Sequence, residues 1–157
     1  MTDLIEIQNE PMNLIEIVDK ENFTIEVNDN PSNSIEVARG LRGLATIINE
    51  QGRYAEAVLL SKLAVSTVKA AGATGANGTL ALVQRSLGSA LVADGKYTEA
   101  SQAFEEMAAG IKTDPEIAKS YQFGDLDWVL AMLKTGKSNQ ANEMVAGMLQ
   151  RQELSAD

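Results

Sequence analysis

The four residues TGKS at positions 135–138 come closest to a chemical motif, because they match the end of a phosphate-binding loop. That loop needs a glycine five positions before Gly136, where this chain has Ala131. The preceding segment also has a helical pattern, whereas such a loop follows a strand. We therefore interpret TGKS as a turn between helices, and the glycine-rich stretch at 72–78 as a loop.

Four carboxylates near position 120 are the second candidate, since hard cations bind oxygen ligands. They are Asp114, Glu116, Asp125 and Asp127. Asp114 directly precedes Pro115, and this pair predicts the N-cap and the first residue of a helix. We therefore predict a helix start at Pro115 and no metal site.

The composition excludes most catalytic chemistry. The chain contains no cysteine and no histidine, which removes thiolate chemistry, the commonest metal ligand and the commonest general base. We expect a protein that is not an enzyme and needs no cofactor. Its apolar runs are far shorter than the roughly 20 residues of a membrane-spanning helix, so we also expect a soluble protein and favour the cytoplasm.

Charge divides the chain into an acidic arm and a nearly neutral body. Residues 1–37 hold nine acidic residues and one lysine, whereas residues 38–157 hold 13 acidic and 12 basic residues. Neither part has the basic stripe that binds phosphates, so nucleic acid is not an expected partner.

Residues 34–152 have the pattern of an all-α domain, followed by a tail at 153–157. Apolar residues recur at steps of three and four, and glycines interrupt the pattern at positions 52, 95 and 136. Asn33 and Glu36 have the spacing of a capping box that opens the first helix. We predict three antiparallel helix pairs. The last pair is expected to span 116–134 and 138–152, with Trp128 in its core.

Two nearly identical stretches identify the type of repeat: GRYAEA at 52–57 and GKYTEA at 95–100. With their flanking residues they resemble the tetratricopeptide-repeat family, in its longer kinesin-light-chain-like variant of about 42 residues. In the third pair Ser138 takes the place of the tyrosine. The residues that carry the resemblance are Gly52, Tyr54, Ala57, Leu87, Gly88, Gly95, Tyr97, Ala100, Phe104, Gly136 and Ala141.

The resemblance implies a short superhelical solenoid whose concave groove binds a peptide segment of a protein partner. The implied groove residues are Arg39, Arg42, Thr46, Asn49, Arg85, Ser89 and Val92. Three of these seven are arginines, which pair bidentately with carboxylates, so the expected ligand is an extended acidic peptide. The alternative is that they are solvated charges on exposed helices. The third pair has Leu126, Leu130 and Leu133 at the matching positions.

The acidic arm, residues 1–33, has a repeat of its own. LIEI, LIEI, TIEV and SIEV begin ten residues apart, at positions 4, 14, 24 and 34. In the first three copies apolar residues alternate with glutamate, which suits short strands. The arm is either a β-type element for homo-oligomerisation, or a linear motif that adds to a partner's sheet edge or lies in the basic groove of its own or a neighbouring chain, or a linker. A structural scaffold that assembles through this arm is therefore the alternative to a peptide-binding module.

Overall fold

A computed structural model of the chain describes residues 31–72, 77–120 and 124–151. This part is helical throughout apart from short connections, which confirms the all-α prediction for it; the predicted strands of the arm lie outside the described residues. Seven helices occur in the described ranges: α1 (Pro31–Glu50), α2 (Tyr54–Ala70), α3 (Asn77–Ala93), α4 (Tyr97–Lys112), α5 (Pro115–Ser120), α6 (Leu126–Lys134) and α7 (Ser138–Gln150). None of these helices is both long enough and apolar enough to cross a bilayer.

The long helices pack as consecutive pairs. Helix α1 packs on α2, α3 on α4, and α6 on α7. The pairs are joined into one stack because α2 also packs on α3, and α4 on α6. The first helices of the pairs are neighbours as well, with α1 against α3 and α3 against α6. They form a continuous layer, which we call the A layer.

The three predicted turn glycines end the A-layer helices in the same way. Gly52, Gly95 and Gly136 have φ of 79°, 76° and 81°, a left-handed conformation that only glycine adopts without strain. In each turn the N–H after the glycine donates to a carbonyl five residues back, for example from Lys96 to Leu91 at 2.8 Å. This is the Schellman arrangement, so the predicted helix ends are confirmed at all three positions.

Two predicted helix boundaries are wrong. Helix α1 begins at Pro31, before Asn33, so Asn33 does not open it; the Glu36 carboxylate instead pairs with Arg39 at 3.1 Å. The helix predicted over 116–134 is two helices, α5 and α6. Asp125 has extended backbone angles and caps α6 through its side chain, which starts a new helix where the apolar period alone suggested a continuous one.

The core lies between the A layer and the second helices of the pairs, α2, α4 and α7, which we call the second layer. Ala57 and Ala100 are fully buried, as expected of the small residues that let the helices of a pair approach closely. Phe104 is also fully buried, and its ring stacks on Trp128 with centroids 5.5 Å apart. Trp128 therefore lies in the core, as predicted, and connects the second helix pair to the third.

Candidate functional site

The A layer presents one repeated face, located by the turn glycines. The residues ten, six and three positions before each glycine are equivalent in α1, α3 and α6. In α1 and α3 five of these six are polar, and in α6 all three are leucines. The same face therefore changes from polar to apolar across the stack.

An open pocket of about 260 Å³ lies on the polar part of this face. That volume is below the range of pockets for drug-sized ligands, roughly 300–1,000 Å³, but has room for several waters or one side chain. Five of the seven residues predicted for the groove line it: Arg42, Thr46, Asn49, Arg85 and Ser89. Ala45, Ser61, Ser86 and Ala90 complete the lining. In the described part of the chain the lining thus contains two arginines and no carboxylate.

Arg42 bridges two of the three helices that form the pocket. Its Nε donates to the Ser86 hydroxyl at 3.0 Å, from α1 to α3. The Thr46 hydroxyl donates to the Arg42 carbonyl at 3.0 Å, so its proton is used within α1. The Ser86 contact holds the guanidinium of Arg42 at the pocket and leaves its terminal nitrogens as potential donors to a ligand.

Arg85 contributes the second positive charge of the pocket. Its Nε donates to Oδ2 of Asp125, while Oδ1 of the same carboxylate accepts from the Asp127 backbone N–H at 2.9 Å. The Asp125 side chain is 10% exposed and that of Arg85 is 48% exposed. Asp125 therefore fixes Arg85 relative to the start of α6, and the guanidinium remains half accessible to solvent.

Two buried polar atoms of the pocket residues lack a hydrogen-bond partner within the described ranges. They are the Ser61 Oγ and the Asn49 Oδ1, and Ser61 is only 1% exposed. Each of these two atoms has an exposed area below 1 Å², so a ligand in the open pocket reaches them only if neighbouring side chains move. The surface of the pocket thus offers the cationic donors of Arg42 and Arg85 for an anion.

Two of the predicted groove residues do not line the pocket. The Arg39 side chain is 60% exposed and pairs with Glu36 within α1. Val92 is 8% exposed and lies in the hydrophobic core. The remaining equivalent residues are the exposed leucines of α6, namely Leu126, Leu130 and Leu133, which are 57%, 37% and 49% exposed. We call these three the leucine ridge.

The pattern of the A-layer helices did not point to Ser61 or Ser86. Ser61 lies on α2, in the second layer, and its signal is a hydroxyl among the apolar residues Leu60, Leu63 and Ala64. Ser86 is next to Arg85 and points to the pocket only through its bond to Arg42. The sequence pattern could not identify either serine, because the role of each depends on contacts between helices.

The other candidate chemistry has a structural explanation. The Asp114 carboxylate accepts from the N–H groups of Glu116 and Ile117 at 3.0 and 3.2 Å, which confirms the predicted helix start at Pro115. Across the described ranges, no three acidic side chains meet in a group able to hold a metal ion. Gly136 of TGKS forms the turn between α6 and α7.

No protein-family model matches the sequence, and a search of curated proteins gives no match. The resemblance to tetratricopeptide repeats therefore remains a prediction that rests on the residues quoted above.

Proposed function

We propose that this chain is a non-enzymatic, tetratricopeptide-type interaction module that binds an acidic peptide segment of a protein partner along its A layer. The helix pairs would form a short solenoid, and the polar face of α1 and α3 would be its groove. The observation that carries the proposal is the pocket that Arg42 and Arg85 line and whose described lining holds no carboxylate.

An acidic peptide supplies the groups that this pocket lacks. A glutamate or aspartate side chain accepts charge-assisted hydrogen bonds from arginine, which are about twice as strong as neutral ones. The carboxylates of such a peptide therefore match the arginine donors that line the pocket.

The test is a charge reversal at Arg42. The probe is a fluorescent peptide that alternates glutamate with leucine, and the measurement is its anisotropy on titration with the full chain. We expect Arg42→Glu to weaken binding at least about tenfold, since a hydrogen bond to a charged group contributes roughly 1.5–3 kcal/mol. Binding should also weaken as salt is added, because salt screens exposed charges.

Arg39→Glu is the matched control, because it makes the same charge change on the same helix outside the pocket. It should change the affinity less than about threefold if long-range attraction is screened. Equal losses in the two variants, or an unchanged affinity for Arg42→Glu, would overturn the groove assignment. The same peptide with glutamine in place of glutamate tests whether charge is required.

The second candidate function is a self-assembling scaffold, and the leucine ridge favours it. Exposed leucines at steps of four and three on one helix are a possible contact for a second chain. Mass measurement in solution tests this function with Leu126→Ser and Leu133→Ser. An oligomer that dissociates only in this double variant supports assembly, and a wild-type monomer excludes it.

A further inference from the structure

We propose that the groove binds a segment of its own chain: LIEIV at 14–18, with Glu16 in the Arg42–Arg85 pocket and a flanking apolar residue on the leucine ridge. This inference rests on the proposed function, because it names a ligand for the same groove. Any acidic peptide from a partner then competes with this segment for the pocket.

Charge complementarity is the first argument. Residues 1–30 contain eight acidic residues and one lysine. Within the described residues, the pocket lining contains two arginines and no carboxylate; Asp125 pairs with Arg85 from outside the lining, so most of the positive charge offered to the arm comes from Arg42. The acidic arm and the polar groove of one polypeptide therefore attract each other over short distances.

The pattern of the second repeat copy fits both parts of the A-layer face. In an extended peptide, residues two apart share a face, so Leu14, Glu16 and Val18 lie together. The first copy has only Leu4 beside Glu6 on that face, with Gln8 on the other side. The third has polar neighbours of Glu26 on both sides, Thr24 and Asn28. Only the second copy presents a glutamate between two apolar residues on one face.

The spacing of that pattern fits the spacing of the helices. Residues two apart in a strand are roughly 6.6 Å from each other, and packed helices are about 8–10 Å apart. The length of the side chains makes up the difference between these two spacings. With Glu16 at Arg85 on α3, either Leu14 or Val18 lies on the side of α6, whichever way the peptide runs. Arg85 is bonded to Asp125, the residue directly before Leu126 of the ridge, so the pocket and the ridge are adjacent.

The connection to α1 is long enough for the segment to reach its own groove. Fourteen residues lie between Glu16 and Pro31, and the fifteen Cα-to-Cα steps from one to the other span roughly 50 Å when the chain is extended. The pocket residues Arg42 to Asn49 lie roughly 16–27 Å along α1 from Pro31. The tether therefore spans the distance with slack, and it gives the segment an effective concentration on the order of 1 mM.

Disulfide cross-linking of the full chain tests this contact, since the sequence has no cysteine of its own. The groove variant combines Val18→Cys with Ser89→Cys, which keeps Glu16 and Leu14 and leaves a small apolar side chain at position 18. The matched control combines Asn28→Cys with Ser89→Cys, which is closer to the groove along the chain but has Thr24 in place of the apolar Leu14. We expect the groove variant to form the bond within one chain about tenfold faster than the control, measured by gel electrophoresis without reductant in dilute solution.

Equal rates in the two variants, or bonds only between chains, would overturn the proposal. A second measurement separates it from the proposed function. Glu16→Lys should raise the affinity for the added glutamate–leucine peptide about tenfold by removing the competitor, whereas Glu26→Lys should not. Cross-linking without peptide binding in any variant supports the arm contact and overturns the proposed function. If Glu16→Lys leaves peptide binding unchanged and the two cysteine variants cross-link equally fast, the result supports the proposed function and overturns the arm contact.

Discussion

The absence of a side chain at position 88 lets α3 and α4 pack closely. A Cβ atom at Gly88 would lie 2.6–2.8 Å from three ring atoms of Phe104, closer than van der Waals contact allows. The Phe104 ring has little room to move, because it is fully buried and stacks on Trp128. Family resemblance singled out Gly88 and Phe104, but only their contact gives the physical reason.

Replacing Gly88 with alanine should therefore destabilise the protein. We expect Gly88→Ala to lower the free energy of unfolding by about 1–3 kcal/mol, the usual cost of overpacking a core, measured by urea denaturation. Gly43→Ala is the control, since a Cβ there meets no atom within 4 Å. It should be neutral or stabilising by up to about 1 kcal/mol, because alanine favours helix over glycine. Equal effects at the two positions would contradict the packing argument.

Helix starts differ in how far the sequence determines them. Asp114 was predictable as an N-cap because the adjacent Pro115 fixes the first helical residue. Asp125 was not, since no proline follows it and its carboxylate also binds Arg85, 40 residues earlier. A helix start that depends only on neighbouring residues, such as Pro115, can therefore be predicted from the local sequence. A start that also depends on a distant contact, such as that of α6, cannot.

Asp125 is expected to stabilise the fold through both of its contacts, the helix cap and the ion pair. Asparagine keeps the cap but loses the ion pair. Asp125→Asn should therefore cost roughly 0.2–1 kcal/mol, since Arg85 is half exposed to water. Asp125→Ala loses the cap as well, and should cost about 1 kcal/mol more. Urea denaturation measures both, and in an Arg85→Gln background the asparagine variant should cost nothing further. Identical losses for asparagine and alanine would show that the cap has no role.

At the scale of the whole molecule, helix pairing was predictable and the pocket only partly so. Pairing follows from periodic apolar residues and turn glycines, which are local signals. The pocket joins α1, α2 and α3, and its unpaired Ser61 lies outside the helices that the repeat pattern assigned to the groove. Similarly, Val92 has the repeat position of a groove residue but lies in the core, because neighbouring helices cover it.

The Phe104–Trp128 stack should control how cooperatively the helix pairs unfold. Trp128 is the only tryptophan, so its fluorescence reports the third pair, whereas far-UV circular dichroism reports all helices. We expect the two urea transitions to coincide in the wild type, as in a two-state domain. Phe104→Leu removes the stack and should move the fluorescence midpoint to lower urea than the dichroism midpoint, because stacked pairs in a repeat protein unfold separately once their interface weakens.

Ile111→Val is the control, a buried change on the same helix that leaves the Phe104–Trp128 stack intact. It should lower both midpoints together. Separate transitions already in the wild type would show that the stack does not couple the pairs.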